Sequence, residues 1–214
     1  MKKAIIFGTG VFSETLYYYL RQHIYGFTVE SRYRTGDKYM DMPLADFENV
    51  EEKFSTDEYG IYIGLGYTNM NSERERIFQM AQEKGYEILS FIHPTAIVNA
   101  RSMGIGNIVY ENAVIGPFTD IGNGNIFKAG ASIAHHSTVG NFNFFAVNSS
   151  VAGKVAVKNN CFLGNNCTIK NRITVADKTL VGAGCYVSKD TEPYGVYVPA
   201  RSVYLEDKKS TDFF

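Results

Sequence analysis

Residues 109–151 read VYENAVIGPFTDIGNGNIFKAGASIAHHSTVGNFNFFAVNSSV. Starting at Val109, every sixth position is apolar: Ile115, Ile121, Phe127, Ile133, Val139, Phe145 and Val151. The phase continues back through Met103 to Ile97 and forward through Val157, Leu163, Ile169, Val175 and Val181 to Val187, sixteen positions without a miss. With apolar residues at 45% of the chain, chance gives such a run roughly once in several hundred thousand tries at a given phase. A fixed six-residue period means stacked repeats, and the hexapeptide repeat points to a parallel β-helix.

Two further phases support this. Two residues before each apolar position stand Ala113, Thr119, Asn125, Ala131, Ser137, Asn143, Ser149, Val155, Cys161, Cys167, Ile173, Thr179 and Cys185, most of them small. Residues two apart on a strand share a face, so each turn is predicted to send one large and one small side chain inward. All three cysteines fall in the small phase and read as buried packing residues, not ligands or nucleophiles. Their odd number and the lack of a CxxC argue against disulfides and zinc. Three residues after the large positions come Gly106, Asn112, Gly124, Gly130, Asn148, Asn160, Asn166, Gly184 and Asp190. These types tolerate left-handed backbone, so this phase is predicted to form the corners of a triangular coil, about five turns in all.

The 214 residues carry a net charge of −1 with no basic run, which argues against nucleic-acid binding. No eighteen-residue apolar stretch is present. The opening MKKAIIFGTG runs straight into a strand-turn pattern and does not read as a signal peptide. Free cysteines suit a reducing compartment, so a cytoplasmic protein without membrane contact is expected.

Residues 1–92 read as a separate α/β unit. Lys3 to Phe7 is predicted as a buried strand, Gly8-Thr9-Gly10 as a tight turn, and Val11 to Arg21 as a helix. That sequence of elements makes an anion site, because bare N–H groups and a helix N-terminus face one point. The dinucleotide fingerprint is incomplete, with Ser13 at the third glycine. A second strand, Gly26 to Val29, leads to Glu30, placed to hold a ribose hydroxyl. A third, Gly60 to Ile63, ends in Gly64-Leu65-Gly66. A helix near 73–84 and a strand at 86–90 complete a small parallel, Rossmann-like sheet of mononucleotide size. His93-Pro94 joins it to the coil of residues 93–191. Residues 192–214, with Pro193 and Pro199, read as an irregular cap and tail.

Beyond the junction His93, the coil holds two histidines, His135 and His136, both at a corner and outside the interior phases. His136 occupies the left-handed phase, which His tolerates. Gly153 lies one eighteen-residue turn after His135 and is predicted to stack beside it, about 4.8 Å away. A base next to a free backbone N–H is a minimal apparatus for acyl transfer.

Ala134-His135-His136-Ser137-Thr138-Val139-Gly140, followed by Val151-Ala152-Gly153-Lys154-Val155, resembles the bacterial hexapeptide-repeat sugar acyltransferases, namely the bacillosamine-type and perosamine-type N-acetyltransferases and the sialic acid O-acetyltransferase group. The resemblance extends over the small nucleotide domain, the His-Pro junction, the coil and Val198-Pro199-Ala200-Arg201. It implies a left-handed coil, a homotrimer, acetyl-CoA as co-substrate between subunits, no metal, and a nucleotide-linked amino sugar as acceptor in surface-polysaccharide synthesis. It makes His135 the general base with His136 beside it, and Gly153 the donor to the acetyl carbonyl. It sets Gly8, Thr9, Gly10, Glu30, Gly64 and Gly66 by the sugar nucleotide, and Phe144, Gly164, Gly182, Ala183 and Arg201 by CoA. Two departures from the bacillosamine type stand out: His136 replaces the Glu that orients the base, and Phe144 replaces a second His. Phe118, Phe142 and Phe144 share outward or corner phases and would be buried between subunits.

Other readings are a sugar O-acetyltransferase, a non-catalytic nucleotide-sugar binder, and a γ-type carbonic anhydrase. The last needs three zinc-binding histidines, which this pattern does not offer.

Overall fold

The structure is a computed structural model and describes residues 2–202, 204–209 and 211. Its N-terminal sheet is formed by β1 (Lys3–Phe7), β2 (Ile24–Val29), β3 (Lys38–Tyr39), β4 (Met42–Asp46), β5 (Tyr59–Ile63) and β6 (Glu87–Ile88). The order is β3-β4-β2-β1-β5-β6, parallel except for the β3–β4 hairpin at one edge. Strand β1 is buried on both sides, which is why it reads as a continuous apolar run. Ala4 and Ile6 share a core with Leu16 of α1 (Val11–Leu20), while Ile5 and Phe7 share another with Ile77, Phe78 and Ala81 of α2 (Ser72–Glu83). The sequence reading covers β1, α1, β2, β5, α2 and β6 and leaves the β3–β4 hairpin unread.

The coil follows directly. Its two-residue strands stack into three parallel sheets of seven, six and five strands. The first face runs from Phe91–Ile92 through Ile126–Phe127 and Phe144–Phe145 to Val196–Tyr197. The second includes Ser132–Ile133 and Ser150–Val151, the third Thr138–Val139 and Ala156–Val157. Partners stand eighteen residues apart, as in Ser132↔Ser150 and Thr138↔Ala156. The coil reaches Tyr197, past the boundary at 191, because Val196–Tyr197 pairs with Leu180–Val181 and Tyr197 packs on the core.

One interior assignment is corrected. Ile97 is exposed, and Val98 is the residue that pairs with Ile115 and packs on the core. The first turn is one residue shorter than those that follow it as far as Val187, and two adjacent apolar residues hide that deletion from a periodicity count. From Val109 to Val187 the large phase is buried throughout, and so is the small phase from Ala113 to Cys185. Phe127 and Phe145 stack with centroids 4.7 Å apart. Asn107, Asn125 and Asn143 form a buried ladder. The side-chain oxygen of each accepts from the backbone N–H one turn on, at 2.9, 2.9 and 2.8 Å, and each amide donates to a corner carbonyl. Every polar atom in that ladder is satisfied, as burial requires.

Every sixth residue from Gly106 to Gly184 has a positive φ between 54° and 69°. The corner includes His136, which tolerates this conformation, and Phe118, Phe142, Lys154, Arg172 and Lys178, types that seldom adopt it. Asp190 does not take it. Its carboxylate instead accepts from the Thr174 N–H at 2.8 Å as the chain leaves the coil.

The N-terminal domain covers the first face. The outward side chains there, Phe91, Ile108, Ile126 and Phe144, are buried and share a core with Leu16 and Phe27. Arg74 of α2 is wholly buried and locks the seam. Its guanidinium donates to the carbonyls of Gly66, Gly124 (2.9 Å), Phe142 (3.0 Å) and Asn143 (3.2 Å). Among the described residues no helix is long and apolar enough to cross a membrane.

Candidate active site

The corner between the second and third faces carries His135 and His136, both exposed. The register of Ser132–Ile133 on Ser150–Val151 carries on to set His135 beside Gly153, and the Lys154 N–H donates to the His135 carbonyl at 3.0 Å. The imidazole occupies the space a side chain at 153 would fill. A Cβ there would lie 2.8 Å from His135 Cε1 and 2.9 Å from Nε2. The Gly153 N–H forms no hydrogen bond among the described residues. Both expectations drawn from the eighteen-residue spacing therefore describe the geometry: the imidazole points outward, and a bare glycine amide lies on the next rung.

His136 touches its neighbour through Nδ1···Nδ1 at 3.0 Å, with the rings at 88°. One of the two nitrogens carries the proton. With Nδ1–H on His135, its Nε2 is a free acceptor, the form a general base needs. His136 itself rests on Phe118 one turn below, centroids 4.7 Å apart. The corner opens on a groove of about 630 Å³ lined by Val114, Pro117, Phe118, Ala134, His135 and Ala152, among others.

The second site is a cleft of about 420 Å³ at the C-terminal ends of β1 and β2. Gly8, Thr9, Gly10 and Glu30 line it together with Tyr33, Thr68, Glu73 and Arg76. Gly8 has φ 111°, and a side chain there would meet Ser13 Oγ at 2.6 Å, so glycine is required. The N–H groups of Thr9 and Gly10 have no hydrogen-bond partner among the described residues. Gly10 begins α1 with no side-chain cap, which leaves the helix N-terminus open to an anion. Ser13 does not spoil the turn: its hydroxyl is buried and donates to the Gly64 carbonyl at 3.0 Å, tying α1 to the end of β5.

Glu30 is engaged. Arg76 grips both its oxygens, Nη1 to Oε1 at 3.1 Å and Nη2 to Oε2 at 3.0 Å, and Arg32 adds a contact at 2.9 Å. Partial burial pushes its pKa up, but the two guanidinium groups outweigh that and hold it below the usual carboxylate value. Gly64 and Gly66 do not line the cleft. A side chain at 64 would strike Ser13 and the Phe7 carbonyl, and one at 66 would strike the Phe12 ring, so both serve packing.

A third hollow of about 270 Å³ lies at the seam between the domains. It gathers Phe144, Gly164 and Ala183 with Tyr67, Lys128 and Phe162. Phe144 is buried in an aromatic cluster, stacked on Phe162 at 5.4 Å and edge-on to Phe12 and Tyr67. Phe142 is buried against Phe78. Both phenylalanines are covered by the chain's own N-terminal domain rather than by a neighbouring subunit; Phe118 remains 57% exposed. Gly182 lies under the segment 197–199. Arg201 is exposed and forms no ion pair among the described residues.

Arg76, Glu73 and Lys128 escape the sequence reading because tertiary packing alone brings them to the sites. All three cysteines are free and buried, and burial pushes the Cys161 and Cys167 thiols up to about 12. His93 accepts from the Thr95 N–H at 3.2 Å and anchors the junction. Among the described residues no group of three His, Cys, Asp or Glu side chains is placed to hold a metal ion.

Solved structures with the same fold cover both domains. A histidine-to-asparagine variant of perosamine N-acetyltransferase from Caulobacter crescentus, in complex with CoA and GDP-perosamine, shares 22% identity over 93% of this chain and 94% of that one, with TM-score 0.83. The acetyltransferase domain of PglB from Neisseria gonorrhoeae, in complex with acetyl coenzyme A, shares 19% over 92% and 96%, with TM-score 0.77. WeeI from Acinetobacter baumannii shares 15% over 93% and 97%, with TM-score 0.82. No family model and no curated protein matches the sequence. The likeness shows the fold: a Rossmann-like domain followed by a left-handed parallel β-helix, as in hexapeptide-repeat nucleotide-sugar acetyltransferases.

Proposed function

We propose that the protein transfers the acetyl group of acetyl-CoA to the amino group of a nucleotide-linked amino sugar. The observation that carries this reading is the His135 imidazole lying on Gly153 while His136 holds its Nδ1. The amine attacks the thioester carbonyl as His135 Nε2 takes its proton. The Gly153 N–H donates to the oxyanion. The tetrahedral intermediate then collapses, the C–S bond breaks, and His135 returns the proton to the departing CoA sulfur. General-base catalysis contributes roughly 10²–10⁴-fold and one oxyanion donor roughly 10²–10³-fold. The cleft at Gly8, Thr9 and Gly10 takes the diphosphate. Arg76, fixed by Glu30, faces the nucleotide; Glu30 orients that cation in place of binding a ribose hydroxyl by itself. Gly164, Ala183 and the edge of Phe144 line the path of the pantetheine arm. The two similar structures solved with CoA or acetyl-CoA, one of them also with GDP-perosamine, support both ligands.

The reading requires more than one subunit. The N-terminal domain docks on the first face, and His135 stands on the corner opposite that face. One chain therefore holds its acceptor cleft and its base on opposite sides of the coil. In a homotrimer each site joins the cleft of one subunit to the corner of the next, as a head-to-tail ring allows. The free buried thiols suit the cytoplasm, and the product suits surface-polysaccharide synthesis.

His135→Asn is expected to cut turnover by about 100-fold or more while the oligomer stays intact. The assay is acetyl transfer to a panel of nucleotide amino sugars, with size-exclusion chromatography alongside. Near-normal activity in this variant would remove the base from the account, and preference for a sugar hydroxyl over an amine would replace N-acetylation by O-acetylation.

A further inference from the structure

Lys128 is the half-buried cation at the seam between the domains. It follows the strand Ile126–Phe127 on the first face, and its ammonium sits 3.7 Å from the centroid of the Tyr110 ring and 5.5 Å from that of Phe12. Its ammonium forms no hydrogen bond and no ion pair among the described residues, while its backbone N–H donates to the Phe145 carbonyl at 2.9 Å. Glu111 is the carboxylate whose charge acts on it, and Tyr19 donates its hydroxyl to Glu111. A lysine ammonium carries three donors, and holding them partly desolvated without an acceptor is costly. Burial accordingly lowers the Lys128 pKa. The ring beneath stabilises the charge, and Lys128 helps to line the hollow together with Tyr67, Phe162 and Gly164.

That hollow and the nucleotide cleft are joined by two short segments. The loop after β5 gives Leu65 and Thr68 to the cleft and Tyr67 to the hollow. The start of α1 gives Gly10 to the cleft and the Phe12 ring to Lys128. The Gly8–Gly10 turn and the Lys128 ammonium therefore flank the same helix N-terminus.

We propose that Lys128 binds an anionic oxygen of the nucleotide sugar beyond its nucleoside, and so sets how the acceptor lies where it meets the pantetheine hollow. The oxygen belongs either to the sugar-linked phosphate or to a carboxylate on the sugar. The proposal rests on the nucleotide-sugar reading above, and one titration separates the two.

The full-length protein and its Lys128→Met and Lys128→Arg variants would be titrated calorimetrically with a nucleoside diphosphate, a neutral-sugar nucleotide and a uronic-acid nucleotide. Met keeps the packing on Tyr110 and removes the charge; Arg keeps the charge. The expected result is a loss of tenfold or more in affinity for Lys128→Met, with Lys128→Arg close to wild type. Equal losses on all three ligands assign the contact to phosphate. A loss confined to the uronic-acid nucleotide assigns it to a carboxylate. Wild-type affinity in Lys128→Met for all three ligands would overturn the proposal, as would equal damage by Met and Arg. Failure of the wild-type protein to bind any of them would overturn the nucleotide-sugar reading and the Lys128 proposal with it.

Discussion

The first face of the coil is covered and the corner opposite it is bare, although one six-residue period builds both. On the first face the residue just before the interior position is large and apolar: Phe91, Ile108, Ile126, Phe144 and Phe162. On the other two faces the same position holds mostly small or polar residues, such as Ser132, Ser150, Asp120 and Thr138. The inward phases specify a coil, and the outward phase specifies which side of it receives the second domain. The hydrophobic effect decides this: a column of outward aromatic and aliphatic groups is covered, whereas serines and threonines stay wet and leave room for chemistry at the corner.

The comparison can be broken in three places. The largest effect is expected from two adjacent phenylalanines. Phe145→Ala empties the coil interior and should cost about 3–5 kcal/mol, read as a lower melting temperature for the whole coil. Phe144→Ala empties the seam and should mainly loosen the N-terminal domain, read by faster hydrogen exchange in α1 and at Tyr67. Equal effects from the two variants would mean that coil and seam melt as one unit.

A smaller effect is expected at the bare corner. Gly153→Ala would drive a methyl group into the His135 ring and turn it aside. Turnover should fall about 10- to 100-fold, up to the lower end of what a lost base or oxyanion contact costs, with melting temperature nearly unchanged. Retained turnover would show that the imidazole does not act from its place on Gly153.

The smallest effect concerns the cleft. The Glu30 pKa is depressed in the folded protein below its ordinary 4.5. A depressed carboxylate adds stability above the unfolded pKa and loses it as pH falls through the folded value. Glu30→Gln should therefore melt about 1–3 °C lower than wild type at neutral pH, with the gap closing below pH 4.5. A gap that stays constant into acid would mean that the ion pair with Arg76 adds nothing.

The coil is legible in the sequence because each of its residues answers to a short local rule. The two inward phases, the corner phase and the His135–Gly153 stacking all follow from counting by six and eighteen. Ile97 misleads the count because a one-residue deletion in the first turn leaves an apolar residue in either register, Ile97 or Val98. Asp190 misleads it because the corner rule ends where the chain turns away towards Pro193. The covered face is written in an outward column, Ile126, Phe144 and Phe162, spaced eighteen apart; taken singly, Phe144 reads as a ligand contact. Gly64 and Gly66 show the opposite problem, since a glycine needed for packing and one needed for a ligand look alike in sequence. Arg76 and Lys128 obey no period. Their meaning comes from Glu30 on another element and from Tyr110 and Phe12 on two domains.

The central claim is that base and acceptor cleft come from different subunits. Co-assembly of two inactive variants tests it most directly. One carries His135→Asn with an intact cleft, and the other carries Thr9→Trp, which fills the cleft and leaves the histidine. Randomly mixed in equal amounts, they should recover about a quarter of wild-type acetyl transfer, because one junction in four joins a good cleft to a good histidine. A mixture no more active than its two components would contradict the account.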